Sequence, residues 1–389
     1  MQFPDYHGAS IVNLMQSLIG ARSHPLSETA PYPEAQLLPA AEIRKARHVL
    51  LLVIDGLGDD WLRRHSPAGP LARHRLGALT SVFPPTTATA ITSYLTGDAP
   101  QQHAMTGWYM WLGELGTVLA VLPGKPRYGG STYRQAGIDV QQLYRHRSVF
   151  ARLATASVMI SPRAIANSDY NLAHRGPARL HSFEGLPELF RVLTKTVKRA
   201  REPTTFYAYW PGLDSIGHER GIESPEALGH LQAIEKGLTQ LIKQLAGTET
   251  LVLVCADHGQ LDTEPAKITE LNSLPAFADC LRIPLCGEPR ALYCYLRPDQ
   301  GKRFEHLCLD HLDQDFELFH SADLIEQGLF GLGTAHPRLL ERIGDYCLIA
   351  RDRAVLHQQL IGETPFHQIG VHGGLSSAEL MVPLCRFDA

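Results

Sequence analysis

The sequence predicts an α/β fold built on a mostly parallel sheet with helices over both faces, and three observations predict it. Residues 47–58, Arg47-His48-Val49-Leu50-Leu51-Leu52-Val53-Ile54-Asp55-Gly56-Leu57-Gly58, form an apolar run that ends abruptly in a carboxylate and two glycines. A strand buried on both faces reads this way when it delivers a side chain to the carboxyl edge of a parallel sheet. Strands and helices of βαβ length alternate from residue 157 to 256. Finally, two later strands also end in paired carboxylates and imidazoles, and the carboxyl edge is where open α/β sheets hold ligands. Asp55 is therefore a candidate metal ligand or catalytic group.

Taken in order, residues 1–46 read as an N-terminal lead-in with a helix over Ser10–Ile19 and a proline-rich stretch, Ala30–Pro39, wrapped on the surface. The Asp55 strand is followed by a loop, a short strand Leu79–Phe83 and the segment Pro84-Pro85-Thr86-Thr87. Proline before a threonine-rich start, and Gly97 after the end, are helix start and stop signals, which puts Thr86 or Thr87 at a helix N-terminus. Residues 98–147 break the pattern: Trp108, Tyr109, Trp111, Lys125 and Arg127 lie in a Gly-rich, aromatic region that reads as an insertion over the sheet edge. Alternation resumes with a helix near Val149–Thr155, strand Ser157–Ser161, helix Leu186–Arg201, strand Thr204–Trp210, helix Pro225–Leu245 and strand Glu249–Ala256. A second insertion is expected at about 261–345, with strands Leu292–Leu296 and Tyr346–Ala350 and a helix over Arg303–Leu312 at or near it. Residues 47–389 thus read as one domain carrying two insertions.

With 36 basic and 40 acidic residues among 389, the net charge of -4 gives no general attraction to a nucleic-acid duplex or an anionic membrane. An anionic substrate must be drawn in locally. The seven cysteines form no CxxC pair and several sit in strand-like apolar runs, as reduced core thiols do. The N-terminus shows no secretory pattern and no stretch has the apolar length of a membrane span, so a soluble, cytoplasmic protein is expected. Nothing in the sequence sets an oligomeric state.

Three fragments join Asp55. Asp214 and His218 stand four apart just beyond strand Thr204–Trp210, a ligand spacing on one side of a helical turn. Asp257-His258-Gly259 ends the next strand, and Gly370-Val371-His372-Gly373-Gly374 surrounds a histidine with permissive backbone. Together Asp55, Asp214, His218, Asp257, His258 and His372 supply three carboxylates and three imidazoles. That donor set suits zinc first, with manganese or iron as substitutes, and it exceeds what one tetrahedral ion takes. Two metal ions are the economical assignment, an arrangement suited to phosphoryl displacement on a small phosphorylated substrate. Thr87 or Thr86, at a helix N-terminus that favours an anion, would supply the nucleophile.

The motifs VIDGLGDD, FPPTTATAITSYLTG, GLDSIGH, CADHG and GVHGGLSSAELMVPL, in that order, resemble the alkaline phosphatase superfamily and most closely its type I phosphodiesterase/nucleotide pyrophosphatase branch. The resemblance spans roughly 47–97, 204–260 and the C-terminal tail. It implies an alkaline-phosphatase-like three-layer sandwich. It implies further that Asp214, His218 and His372 hold one metal, while Asp55, Asp257 and His258 hold the other together with the nucleophile. Register in the branch pattern, counted back from Gly97, makes that nucleophile Thr87 rather than Thr86. The implied reaction passes through a phosphothreonine by two in-line displacements with net retention at phosphorus.

One departure matters: the branch members that cleave nucleotides carry Pro-Asn where this chain has Thr89 and Ala90, so a phosphate donor is missing and Lys125 or Arg127 is the candidate replacement. Trp108 and Tyr109 are candidates to stack a base or sugar. The reading is a phosphodiester or diphosphate hydrolase, with a phosphomonoesterase or phosphonate hydrolase as the alternative. A sulfatase lacks its Cys/Ser-x-Pro-x-Arg here, and a cofactor-independent phosphoglycerate mutase would carry Ser and a long inserted domain. A non-catalytic metal-binding relative would have lost a ligand or the nucleophile, and none of the seven positions is lost.

Overall fold

The computed structural model describes residues 1–23 and 31–389. Its central strand is His48–Ile54, buried at every position. That strand pairs in parallel with Thr204–Trp210 on one side and Thr250–Cys255 on the other. A strand with neighbours on both edges and cover on both faces has no solvent face, which is why it shows an unbroken apolar run and no alternation. The full sheet has seven strands in the order Arg75–Thr80, Met381–Asp388, Thr250–Cys255, His48–Ile54, Thr204–Trp210, Ala156–Pro162, Arg179–Phe183. Four neighbouring pairs are parallel, and only Met381–Asp388 runs antiparallel to both of its neighbours.

Several expected elements sit where the sequence puts them, among them strands Thr204–Trp210 and Tyr346–Ala350 and helix Pro225–Leu245, capped by the Ser224 side chain. Others differ. The strand expected over Leu79–Phe83 is Arg75–Thr80, and the helix expected near Val149–Thr155 is a single short turn, Val149–Ala151. Strand Met381–Asp388 was not expected at all; it holds Pro383, which removes a ladder donor and argues against an interior strand in a single sequence. The proline-rich stretch lies irregularly on the surface as expected, most of its described residues exposed, but the lead-in is anchored from within. Helix Ile11–Arg22, capped by Ser10, buries Ile11 to Ile19 against the main core, and Tyr32 and Leu38 of the proline-rich stretch join the same core. Ala30, the first residue of that stretch, lies outside the described residues.

Strands from the two expected insertions meet in one structure. Tyr109–Leu112, Thr117–Ala120 and Lys125–Pro126 from the first, and Cys286–Glu288, Ala291–Cys294 and Phe316–His320 from the second, form a seven-stranded antiparallel sheet with Tyr346–Ala350. The seam is the pairing of Tyr109 with Gly287. One face of this sheet buries Leu292, Cys294, Phe304 and Leu348, and the other buries Tyr293, Phe330, Cys347 and Ile349.

The two sheets are joined by a buried ion pair. Arg290, in the turn before Ala291–Cys294, donates to both carboxylate oxygens of Glu379 at 2.6 and 2.9 Å, and neither side chain is exposed. Glu379 also accepts from the Gly374 N–H at 2.7 Å and the Ser376 hydroxyl at 2.6 Å. Removing one partner of such a pair strands the other as an uncompensated buried charge. Arg290→Ala should therefore lower unfolding stability by about 3–5 kcal/mol in urea titrations, while the double change Arg290→Met/Glu379→Leu should cost less than the single one.

Candidate metal centre and active site

Each candidate residue arrives at the carboxyl edge of the main sheet for a local reason. Asp55 directly follows strand His48–Ile54. Gly56 takes φ +77°, and a Cβ on it would lie 3.0 Å from the Asp214 Cα, so only glycine lets these two segments approach. Asp214 and His218 sit one turn apart on helix Gly212–Arg220, which starts just after strand Thr204–Trp210. Asp257 and His258 follow strand Thr250–Cys255, and His372 follows the two-residue strand Gly370–Val371. Thr86 is the N-cap and Thr87 the first residue of helix Thr87–Thr96, which ends at Gly97 with φ +77°.

The structure brings all seven together. His258 Nε2 lies 3.3 Å from Asp55 Oδ1 and 3.6 Å from Asp257 Oδ2. His218 Nε2 lies 3.3 Å from Asp214 Oδ2, and His372 Nε2 lies 3.8 Å from Asp214 Oδ1. Thr87 Oγ1 is 3.2 Å from His258 Nε2 and 3.5 Å from Asp55 Oδ2. The neighbouring Thr86 hydroxyl points elsewhere and donates to Glu288 Oε1 at 2.6 Å.

The imidazoles are oriented alike. Nδ1 of His218, His258 and His372 meets the carbonyl of Gly370, Gly259 and Pro85 at 2.7, 3.0 and 3.2 Å. A carbonyl only accepts, so each Nδ1 carries a proton, and each ring in its neutral form turns an Nε2 lone pair toward the carboxylates. Lone pairs of nitrogen facing lone pairs of oxygen are a cation site. The carboxylates agree: Asp55 Oδ1 and Asp257 Oδ2 are buried with no hydrogen-bond donor. Burial, followed by the charges of Asp214 and Asp257, holds Asp55 well above the usual carboxylate range, and burial also raises Asp257. Burial pushes Asp214 upward too, but the adjacent His218 outweighs it and holds Asp214 low.

Two compact ligand groups result. One is Asp55, Asp257 and His258, as the resemblance implies; the other joins Asp214 and His372 to His258, with His218 against the far oxygen of Asp214. His258 thus stands between the two groups, 3.8 Å from the His372 ring centroid. The donor chemistry fits two divalent ions. Outside the ligands, the Tyr209 hydroxyl donates to Asp55, and the Gln260 amide donates to Asp214. Neither residue was singled out from sequence, although Tyr209 is the penultimate residue of a strand that leads into a ligand segment and Gln260 follows Asp257-His258-Gly259.

A cavity of about 920 Å³ opens onto this centre, with Thr87, Asp214, His218 and His372 in its wall. Trp108 and Tyr109, the candidates from sequence for substrate contacts, line it. Lys125 does not. Arg127 lines the cavity, yet its guanidinium is taken up by both oxygens of Glu363 at 2.8 and 3.1 Å and by the carbonyls of Leu285 and Gln358. It also covers one face of Tyr109, 4.2 Å from the ring centroid. Expected as a phosphate donor, Arg127 is instead a strut. Thr89 and Ala90 are fully buried in the helix and contribute nothing to the wall, so the missing donor is not replaced there. Glu288, with no motif around it, went unrecognised in the sequence; it lines the cavity, and burial pushes its carboxyl up to about 7 against the pull of Thr86 and Trp108.

A sequence model of the family described as type I phosphodiesterase/nucleotide pyrophosphatase matches residues 49–374. No curated protein matches the chain by sequence. Among solved structures, murine ectonucleotide pyrophosphatase/phosphodiesterase 5 is similar with a TM-score of 0.65 at 15% identity, covering 86% of this chain and 87% of that one. An inactive threonine-to-alanine variant of the murine protein, in complex with AMP, gives 0.64 at 15% identity over 86% and 87%. Phosphonoacetate hydrolase from Sinorhizobium meliloti 1021, in complex with phosphonoformate, gives 0.63 at 16% identity over 88% and 90%. These likenesses show the alkaline-phosphatase-like α/β fold.

The geometry sets the response to pH and to metal removal. Burial lowers His218, but Asp214 more than offsets it and raises the metal-free imidazole to about 9. A metal must displace that proton, so metal affinity should rise with pH through neutrality up to about 9, with proton release on binding. Competition titrations at a series of pH values check this. Chelation at neutral pH should lower Tm, because Asp55 and Asp257 then face each other uncompensated, and Asp55→Asn should recover part of that loss in the chelated protein while lowering the metal content of the untreated one. Calorimetry on both proteins tests it, and an unchanged Tm on chelation would count against the cluster as a metal centre.

Proposed function

This chain belongs to the type I phosphodiesterase/nucleotide pyrophosphatase family, and on that premise we propose that it hydrolyses phosphodiester or diphosphate bonds through a covalent phosphothreonine on Thr87. The observation that carries the choice of residue is the Thr87 hydroxyl, 3.2 Å from His258 Nε2 and 3.5 Å from Asp55 Oδ2, with Thr86 engaged by Glu288 instead. Asp55, Asp257 and His258 would hold one divalent ion; Asp214, His218 and His372 would hold the other. Zinc is the first choice for this mix of nitrogen and oxygen donors, with manganese or iron as substitutes. Bound there, such ions supply Lewis-acid charge that polarises phosphoryl oxygens and acidifies a hydroxyl.

Thr87 stands at the start of a ten-residue helix, so unpaired N–H groups and the positive end of the dipole favour a phosphoryl anion beside its hydroxyl. Its Oγ1 forms the bond to phosphorus as the bond to the leaving oxygen breaks, and the hydroxyl proton departs. Water then attacks the phosphothreonine from the vacated side, which restores Thr87 and gives net retention. The inactive threonine-to-alanine variant of the similar murine protein supports this assignment. The absence of a donor at Thr89 and Ala90, together with the likeness to phosphonoacetate hydrolase, favours a phosphonate or phosphomonoester hydrolase as the second reading. The cytoplasm is the proposed location; all seven cysteines are buried free thiols, as a reducing compartment maintains them.

Thr87→Ala should lower kcat by a factor of about 10³ or more while the metal content, measured by atomic emission, stays near that of the native protein. Thr86→Ala should retain far more activity, and the reverse ranking would move the nucleophile to Thr86. Hydrolysis of bis-(p-nitrophenyl) phosphate faster than p-nitrophenyl phosphate or phosphonoacetate is the expected outcome; preference for the monoester or the phosphonate selects the second reading.

A further inference from the structure

Gln260 is wedged where three ligand-bearing segments meet. It follows Asp257, His258 and Gly259, and the next residue, Leu261, pairs with Val371, the neighbour of His372. Its side chain reaches helix Gly212–Arg220, which carries Asp214 and His218. Two glycines make the room: a Cβ on Gly217 would overlap the Gln260 amide, and a Cβ on Gly370 would lie 2.8 Å from the amide oxygen. The backbones close around the wedge. The Ile369 N–H donates to the His218 carbonyl at 2.9 Å, and His218 Nδ1 donates to the Gly370 carbonyl at 2.7 Å.

Only 3% exposed, Gln260 uses one end of its amide. The nitrogen donates to Asp214 Oδ1 and, at 3.2 Å, to the Asp214 carbonyl. Both partners only accept, which fixes the orientation of the amide. Its oxygen is buried with no donor among the described residues. A wedge that only filled space would be apolar, because a buried acceptor without a donor is unfavourable. What the amide adds is a hold on Asp214: a carboxylate free to turn loses that freedom when an ion binds, and one already oriented does not. Asp55 and Asp257 accept instead from the Tyr209 hydroxyl and from the N–H groups of Gly56 and His258. Resting on the two-metal phosphoesterase reading above, we propose that Gln260 is a positioning residue for one ion of the two, the ion of Asp214, His218 and His372. Its amide presents Asp214 to that ion, and its wedge sets the helix of Asp214 and His218 against the strand before His372.

The test strips the full-length protein with a chelator and titrates zinc back against a competing chelator. The native protein should take two ions. Gln260→Met keeps the length of the wedge and removes the donor, so it should hold one ion at native affinity and the other about 10–100-fold more weakly. At limiting zinc, anomalous diffraction from crystals of this variant should place the retained ion at Asp55, Asp257 and His258. Gly217→Ala, which displaces the amide while Gln260 stays, should show the same selective loss, and it decides alone where Gln260→Met does not fold. Two ions at native affinity, equal weakening of both, or loss of the Asp55 ion instead overturns the positioning role and leaves the two-metal reading standing. A native protein that takes one ion or none overturns that reading; the role of Gln260 then stands only where Gln260→Met weakens the single ion, and falls otherwise.

Discussion

Three buried carboxylates, Asp55, Asp214 and Asp257, converge at one sheet edge, and this crowding of like charge is the constraint on which the rest of the site depends. Taken out of water, such groups repel one another strongly and cannot all ionise without a cation among them. The surroundings are arranged for that cation. Three imidazoles present Nε2 because backbone carbonyls hold their Nδ1 protons, and two carboxylate oxygens are left with no donor. A structural role would have filled those positions with arginine or with backbone N–H groups, as it does at Glu379, where Arg290, Gly374 and Ser376 leave neither oxygen unused.

The sheet supplies the spacing. Strands Thr250–Cys255, His48–Ile54 and Thr204–Trp210 are consecutive in the sheet, and each is followed at once by a ligand segment. Adjacent strands lie about 4.8 Å apart, so side chains leaving their ends start at separations that one or two cations can bridge. Parallel pairing is what makes this work, because it sends all three chain exits to the same edge. The glycine at position 56 then removes the last obstacle, a Cβ that would hold the Asp55 and Asp214 segments apart.

This explains which parts were legible in the sequence. A fully buried strand and the carboxylate after it are local facts, written within about ten residues, and so Asp55, Asp214, Asp257 and the three histidines could be found without a structure. Thr87 needed register from the family pattern, and the geometry adds the reason: consecutive hydroxyls at a helix start point in different directions, one to His258 and one to Glu288. Illegible were the features made by long-range pairing. The seam of Tyr109 with Gly287 unites stretches that read as separate insertions, and neither stretch announces the other. Arg127 read as a free cation because its partner, Glu363, is 236 positions away. Glu288 had no motif because its role comes from what surrounds it. Met381–Asp388 was concealed by Pro383, whose missing N–H is tolerated because that part of the strand pairs only with Arg75–Thr80, the pairing with Thr250–Cys255 starting at Cys385.

The second sheet does more than roof the cavity, and the Arg290–Glu379 pair shows why. Glu379 holds the Gly374 N–H, two residues past His372, and its carbonyl accepts from the Gly259 N–H at 2.8 Å, next to His258. Arg290 is two residues past Glu288 and also donates to the carbonyls of Asp352 and Ala354. One ion pair therefore ties together two metal-ligand segments and the cavity wall that faces them. Being fully buried, it gains little net energy over an apolar pair, so what it contributes is the fixed set of contacts between these segments.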